Sequence, residues 1–224
     1  MSFYDQWILP RLVDIVMRNR EATRYRAQIV PRARGTVLEV GVGSGLNLPF
    51  YDAGVEQFYG LDPSEELLTM AGKKARAITF PVDFLAHSGE RIPLDDGSVD
   101  TVVMTWTLCS IPDPAQALKE MKRVLKPGGV LLFAEHGLAP DARVRGWQQR
   151  LNPLWNRITG GCNLNRKMDE LIEASGFRIT ALETEYAKGP RPMSYIYSGH
   201  ARPAQHHDTC VAAVDAGDLR SLPP

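Results

Sequence analysis

The stretch VLEVGVGSGLN, residues 37–47, decides the fold, because an apolar run ends there abruptly in three alternating glycines. Glycine loses more backbone freedom on folding than any other residue, so Gly41, Gly43 and Gly45 would weaken a regular strand. A glycine turn between a strand and a helix lets a ligand touch the main chain, and the start of the helix offers free N–H groups. We therefore expect a ligand to lie against this turn.

The rest of the chain alternates between segments typical of strands and segments typical of helices. Strands are expected at 36–41, 57–62, 79–87, 99–106 and 130–136, helices at 63–76, 114–125 and 164–174, and a turn at 126–129. Two closing strands, 177–187 and 193–202, have no helix between them and are expected to form an antiparallel hairpin at one edge. This pattern predicts an α/β fold with a Rossmann-like, doubly wound, seven-stranded and mostly parallel sheet.

Three segments are expected along the chain. Residues 1–34 are predicted to be a helical lid, with one helix from about 5 to 30 and seven arginines between Arg11 and Arg34. These arginines form either a solvated helix face or a basic amphipathic helix that rests weakly on an anionic membrane surface. The α/β domain is expected at 35–202, with a helical insertion at 137–161, and a disordered tail at 203–224.

Composition gives no support to several classes of function. Lys plus Arg and Asp plus Glu number 26 each, so net charge gives no indication of a nucleic-acid partner. No apolar stretch approaches the roughly 18 residues of a membrane span, and no signal peptide is evident. The three cysteines are scattered and predict neither a disulfide framework nor a metal motif. We expect a cytoplasmic protein with reduced thiols and no bound metal, and composition says nothing of its oligomeric state.

Two acidic residues narrow the class of ligand that the glycine turn could bind. The glycine spacing is G-x-G-x-G and not the dinucleotide G-x-G-x-x-G, which disfavours NAD. Asp62 ends the second predicted strand, 23 positions after Glu39. An acid at about this distance can hold the hydroxyls of a nucleotide ribose. The alternative for Asp62 is a cap of the helix that follows it.

Four motifs together resemble the class I S-adenosylmethionine-dependent methyltransferases. They are EVGVGSG at 39–45, LDPS at 61–64, SGERIPLDDGSVD at 88–100 and RVLKPGG at 123–129. Further on, EH at 135–136, WQQ at 147–149, NPLW at 152–155 and GGCNLNR at 160–166 resemble the methyltransferase-like thiol S-methyltransferases, membrane-associated enzymes that methylate alkyl thiols. The resemblance implies S-adenosyl-L-methionine as the cofactor and a small molecule as the methyl acceptor.

The resemblance also implies which residues bind the cofactor. Glu39 would position its amino group, Asp62 would hold its ribose hydroxyls, and the end of the fourth strand would lie below the sulfonium. The complete implied set is Glu39, Gly41, Val42, Gly43, Gly45, Asn47, Asp62, Pro63, Ser88, Gly89, Glu90, Thr105, Trp106 and Thr107.

The acceptor side depends on one histidine. His136 ends the fifth predicted strand, on the edge where such sheets bind substrates, and is the candidate catalytic residue that would take or screen the proton of an acceptor thiol. The alternative is a histidine that only packs and bonds a neighbour. Cys109 and Cys162 are interpreted as small buried thiols, because direct methyl transfer needs no enzyme nucleophile. The candidate acceptor-binding residues are Tyr4, Trp147, Trp155 and Cys162, whose aromatic members form either an apolar lid or part of the core.

Three functions stay open at this point. The first is methyl transfer to a small-molecule thiol. The second is N-methylation of a phospholipid or small amine at a membrane surface, which the basic N-terminal segment favours. The third is a module that binds S-adenosylmethionine without catalysis.

Overall fold

The computed structural model describes residues 9–204, which contain a seven-stranded sheet and six α-helices. The strands are β1 Gly35–Val40, β2 Val55–Leu61, β3 Val82–Leu85, β4 Val99–Thr105, β5 Leu125–His136, β6 Phe177–Tyr186 and β7 Tyr195–Pro203. The helices are α1 Leu9–Val16, α2 Arg20–Ile29, α3 Glu65–Ala75, α4 Pro114–Val124, α5 Ala142–Ile158 and α6 Met168–Ala174.

The strand order β3-β2-β1-β4-β5-β7-β6 confirms the predicted fold class. Strands β1 to β5 are parallel to their neighbours, whereas β7 pairs antiparallel with both β5 and β6. The chain leaves β1 towards β2 on one side and returns to β4 on the other. The carboxyl ends of β1 and β4 therefore flank the point where the order reverses, which is where sheets of this kind bind ligands.

The sheet is covered on both faces because its central strands are apolar on both sides. Neighbouring residues of a strand point to opposite faces. Val37 packs into one core cluster, with Phe58 and residues of α2, while Leu38 packs into the other, with Phe133 and residues of α4. This two-sided burial explains why β1 and β4 are nearly continuous runs of hydrophobic residues.

Two local predictions were wrong. The helix expected over about 5–30 is broken, since α1 ends at Val16 and Asn19 caps α2 by accepting a hydrogen bond from the backbone N–H of Ala22 at 2.8 Å. The turn expected at 126–129 lies inside β5, where the register with β4 shifts, so that Val99 pairs with Leu125 and Thr101 with Val130. The predicted tail beyond residue 204 lies outside the described residues.

Candidate active site

The glycine turn directly follows β1, and its three glycines are required for different reasons. All have positive φ, +73° at Gly41, +54° at Gly43 and +76° at Gly45. A Cβ atom at Gly41 would lie 2.2 Å from the Thr107 hydroxyl oxygen, and one at Gly45 would lie 2.8 Å from Leu48. At Gly43 the nearest atom would be the Gly41 carbonyl oxygen, 4.0 Å away. Gly41 and Gly45 thus permit close packing, whereas Gly43 faces open space.

Asp62 lies against this turn. It is buried, its Oδ2 accepts a hydrogen bond from the Gly43 N–H at 3.0 Å, and its Oδ1 accepts one from the Ser64 N–H at 2.9 Å. Burial raises its pKa, and the two backbone hydrogen bonds oppose that rise. Ser64, and not Asp62, caps α3. Each carboxylate oxygen can accept a further bond, so Asp62 can still receive two ligand hydroxyls.

Glu39 is a buried carboxyl group at the end of β1. The Tyr51 hydroxyl donates to its Oε2 at 2.7 Å, and the Asn47 side chain donates to its Oε1 at 3.0 Å. Burial raises the pKa of Glu39 to about 8, despite the opposing effects of Tyr51, Arg26 and Asn47. A ligand cation in contact with this group would favour its ionised form.

Asn47 connects several predicted cofactor residues. Its Nδ2 lies 3.0 Å from both Glu39 Oε1 and Thr105 Oγ1, and its Oδ1 accepts a hydrogen bond from Arg26 Nε at 2.9 Å. The structure therefore brings β1, β4 and α2 together around one side chain. Arg26, which the sequence patterns did not single out, completes this network.

The end of β4 has a strained backbone. Trp106 has φ +51°, and within the described residues it is the single non-glycine residue with positive φ. The Arg26 guanidinium carbon lies 5.1 Å from the centre of its ring, and Tyr25 contacts the ring edge-on. Helix α2 thereby covers Trp106 at the carboxyl edge of the sheet.

Glu135 is a second residue to which the sequence analysis gave no role of its own. It is completely buried at the end of β5, where its carboxylate accepts hydrogen bonds from the backbone N–H groups of Thr107, Leu108 and Cys109 at 2.7, 3.0 and 3.4 Å. Burial raises its pKa to about 7, against these hydrogen bonds. The signal that could have found it is an acidic residue at the end of an otherwise apolar strand.

Ser88, Gly89 and Glu90, which belong to the predicted cofactor-binding set, follow β3. Glu90 bonds within this region, since its Oε2 accepts from the Ser88 hydroxyl at 2.6 Å and its Oε1 accepts from the Asp113 N–H at 2.7 Å. Gly89 packs against the end of β1, because a Cβ there would lie 3.0 Å from Val40. Pro63 is exposed before α3, and Val42 is buried in the core. The cofactor contacts of these residues stay a prediction.

His136, Trp155 and both described cysteines meet at one place. His136 Nε2 lies 3.0 Å from Cys162 Sγ, Trp155 Nε1 donates to the same sulfur at 3.4 Å, and Cys109 Sγ lies 3.6 Å from it. Hydrogen bonding by Cys109 and His136 lowers the pKa of Cys162, against burial. Burial alone would lower the pKa of His136, but the contact with Cys162 raises it. The second ring nitrogen of His136, Nδ1, is buried without a partner among the described residues.

The remaining predicted acceptor residues are distributed differently. Trp155 packs against the core cluster that contains Leu38. Trp147 lies on α5 with 49% of its surface exposed and with the Arg150 guanidinium over its ring. Tyr4 lies outside the described residues. Among residues 9–204, no helix combines the length and the apolar character needed to cross a membrane.

Known methyltransferases are similar to this chain in sequence. The methyltransferase domain family matches residues 38–133. Thiol S-methyltransferase TMT1B of Rattus norvegicus is 36% identical over 168 residues, which are 73% of this chain and 67% of that protein. Thiol S-methyltransferase TMT1A of Homo sapiens is 35% identical over 179 residues, 75% of this chain and 72% of that protein. A phosphatidylethanolamine N-methyltransferase of Cereibacter sphaeroides is 37% identical over 119 residues, 52% of this chain and 58% of that protein.

Solved structures share the fold. A SAM-dependent methyltransferase from Methanosarcina mazei superimposes with a TM-score of 0.64 at 20% identity, covering 78% of this chain and 95% of that one. A SAM-dependent methyltransferase from Aquifex aeolicus superimposes with a TM-score of 0.61 at 21% identity, covering 86% of this chain and 97% of that one. These structural similarities show the fold, and the sequence relatives, which are enzymes, support a catalytic protein over a binding module. The chain belongs to the S-adenosylmethionine-dependent methyltransferases, in the family that includes the thiol S-methyltransferases.

Proposed function

We propose that this enzyme transfers the methyl group of S-adenosylmethionine to a small-molecule thiol. The rat and human relatives support this acceptor class, and the position of His136 carries the proposal. Its imidazole is buried at the carboxyl end of β5, with Nε2 turned towards a sulfur atom and Nδ1 without a partner in the described chain. A buried polar atom without a partner costs about 1–3 kcal/mol, so Nδ1 suits an incoming acceptor or a water molecule.

The chain's own groups fit the cofactor. The open side of Gly43 would receive the methionine part, the Glu39 carboxyl group would face its ammonium, and the Asp62 carboxylate would accept bonds from the ribose hydroxyls. Bound S-adenosylmethionine supplies a methyl group on a positively charged sulfur. The turn and the end of β4 would hold that group in line with the acceptor, since alignment supplies much of the rate of a displacement reaction.

The acceptor must be deprotonated before it attacks. A thiol has a pKa of about 8.5, so only a few per cent is thiolate near neutral pH. We propose that His136 promotes the loss of this proton. A lone pair of the acceptor sulfur would then form the new S–C bond while the methyl C–S bond of the cofactor breaks. The electron pair of the broken bond would stay on the cofactor sulfur. Opposite charges disappear together in this step, which a dry site of low dielectric favours.

We also propose that the N-terminal segment, residues 1–34, acts as a lid. In its described part, Asp14 of α1 accepts a hydrogen bond from the Ser44 hydroxyl in the glycine turn, and Arg26 of α2 contacts Asn47 and Trp106. Lys74 also donates to the Ser44 carbonyl oxygen, which ties α3 to the same point. Asp14→Ala should therefore raise the KM for S-adenosylmethionine; an unchanged KM would contradict a lid held by α1.

A phospholipid or small-amine N-methyltransferase is the second candidate. The observation that favours it is the outer face of α1, where Leu12, Ile15 and Val16 are 46%, 66% and 64% exposed. Arg11 lies on the same helix and Arg18 lies just beyond its end, and more than half of each side chain is exposed. An apolar face beside basic side chains suits the surface of an anionic membrane.

A substrate panel separates the two candidates. Purified enzyme would be incubated with S-adenosylmethionine and matched sets of alkyl thiols, primary amines, phospholipid headgroups and phenols, and the products would be identified by mass spectrometry. We expect methyl thioethers. Methylation of amines without any thioether would contradict thiol methylation. Binding to anionic liposomes that falls steeply with salt would add support to the second candidate.

A further inference from the structure

Three side chains that are distant in sequence meet beside the proposed acceptor position. The ligand atoms of Cys109, His136 and Cys162 lie within 4.8 Å of one another. The two sulfur atoms are 3.6 Å apart, and His136 Nε2 is 3.0 Å from Cys162 Sγ. The three residues are 2%, 9% and 8% exposed. We name this group the Cys–His–Cys cluster.

The surrounding hydrogen bonds hold the cluster in place. Asn163 donates from its backbone N–H and its side chain to the Cys109 carbonyl oxygen, at 2.9 and 3.0 Å. This ties the loop after β4 to the loop that carries Cys162. Glu135 accepts the Cys109 N–H at 3.4 Å, next to His136 in β5. The three donor groups are thus positioned by the fold itself, as outer contacts position the ligands of metal sites.

Trp155 gives the cluster a further feature of a metal site. Its indole N–H donates to Cys162 Sγ at 3.4 Å, so this sulfur has a hydrogen bond from outside the cluster. The loop around Cys162 is fixed as well, since Asn156 donates to the Gly161 carbonyl oxygen at 2.7 Å. The guanidinium of Arg166, which donates to the Leu108 and Ile111 carbonyl oxygens, supplies positive charge beside Glu135 and the thiols.

Two thiols and one imidazole are the ligand set of a catalytic zinc site, which keeps its fourth position open. A Zn–S bond of about 2.3 Å places two sulfurs of a tetrahedron roughly 3.8 Å apart. The observed separation is 3.6 Å. A disulfide would require the sulfurs to approach to about 2.05 Å. The His136 contact would have to lengthen by roughly half an ångström, so only small side-chain shifts would admit an ion.

We propose that the Cys–His–Cys cluster binds one Zn²⁺, or another thiophilic dication such as Cd²⁺, through the sulfurs of Cys109 and Cys162 and Nε2 of His136. Two thiolates would balance the charge of the ion. In the part of the chain that the structure describes, the group has three members, so a tetrahedral ion would keep one position for an external ligand. No metal was expected from the sequence because the cysteines are widely spaced along the chain. The fold brings Cys109 and Cys162 together with His136, so that spacing no longer argues against a metal site.

The fourth position deepens the proposed function and rests on it. An acceptor thiol bound there would release its proton to solvent and stay on the ion as a thiolate. The thiolate sulfur would then use a lone pair to bond the methyl carbon, and the electron pair of the broken C–S bond would remain on the cofactor sulfur. His136 would activate the acceptor as a ligand of the ion, and the neutral thioether product would leave.

Metal binding can be tested without any turnover. The full-length chain would be reduced, treated with a chelator and titrated with Cd²⁺ while the thiolate-to-metal charge-transfer absorption is recorded. We expect saturation at about one ion per chain. Cys162→Ser and His136→Asn should each weaken binding at least about tenfold. Cys210→Ser, which changes a cysteine outside the described residues, is the matched control and should bind like the wild type.

Wild-type protein without charge-transfer absorption would overturn the proposal, and so would an equal loss in Cys210→Ser. If Cys162→Ser does not fold, the wild-type titration alone decides whether the cluster binds a metal ion. His136→Asn provides a second variant, which keeps both thiols. Turnover then separates the two proposals. Thiol methylation by a chain that binds no Cd²⁺ would overturn only the metal site. Cd²⁺ binding without thiol methylation would overturn the proposed function.

Discussion

The proposed cofactor side and the proposed acceptor side of this site are built differently. The cofactor side consists of one short turn, residues 41–45, together with acidic residues at the ends of neighbouring strands. The acceptor side is assembled from β5 and from two loops, one after β4 and one after α5. The first depends on the shape of the backbone and the second on side-chain chemistry, so substitutions on the two sides should have separable effects.

The largest expected effect is at Gly41. Gly41→Ala would place a Cβ 2.2 Å from Thr107 and would force an alanine to φ +73°. Overpacking together with left-handed backbone strain should lower the free energy of unfolding by at least about 3 kcal/mol. Urea denaturation followed by circular dichroism measures this loss.

Gly43→Ala is the matched control for Gly41→Ala. Its Cβ would meet no atom closer than 4.0 Å, so backbone strain alone should lower the stability, by about 1–2 kcal/mol. The main effect of Gly43→Ala should be weaker binding of S-adenosylmethionine, because the new methyl group would enter the open side of the turn. Equal losses of stability in the two variants would show that the turn does not pack against Thr107 as described.

His136→Asn should act on turnover and leave the cofactor side intact. With a thiol acceptor, kcat should fall about tenfold or more near pH 6.5, where the thiol needs help to ionise, and much less near pH 9, where it ionises by itself. Affinity for S-adenosylhomocysteine should stay unchanged. A loss of the same size at both pH values would assign His136 a packing role.

A smaller effect is expected at Glu39, and it is measured as the protons that the enzyme releases when the cofactor binds. Its pKa is about 8 in the free protein, so near pH 6.5 the carboxyl group is protonated. The cofactor's α-amino group is already cationic at that pH, and its approach would lower the pKa of Glu39 and release up to about one proton. Calorimetry in two buffers of different ionisation enthalpy measures this release. Glu39→Gln should abolish it, and a buffer-independent heat in the wild type would contradict contact between Glu39 and the ammonium.

This difference also decides what the sequence alone could predict. The sheet was predictable from the alternation of strands and helices, and the glycine turn with Asp62 beside it was predictable because residues 41, 43, 45 and 62 follow two predicted strands. The cofactor contacts of this turn stay a prediction. The meeting of Cys109 with Cys162 was not predictable, since 53 residues separate them and only the fold brings the two loops together. Glu135 was given no role for a related reason. An acidic residue at the end of an apolar strand is visible in the sequence, but its partners are backbone N–H groups of another loop, which only the fold brings close.

The most direct measurement is a calorimetric titration of S-adenosylhomocysteine into Asp62→Ala and Cys162→Ala, each beside the wild type. Asp62→Ala should lose about 1–3 kcal/mol of binding free energy. Cys162→Ala should bind within about 0.5 kcal/mol of the wild type, since it lies on the acceptor side, and yet lose turnover of thiols. Unchanged affinity in Asp62→Ala, or an equal loss in both variants, would contradict a site divided in this way.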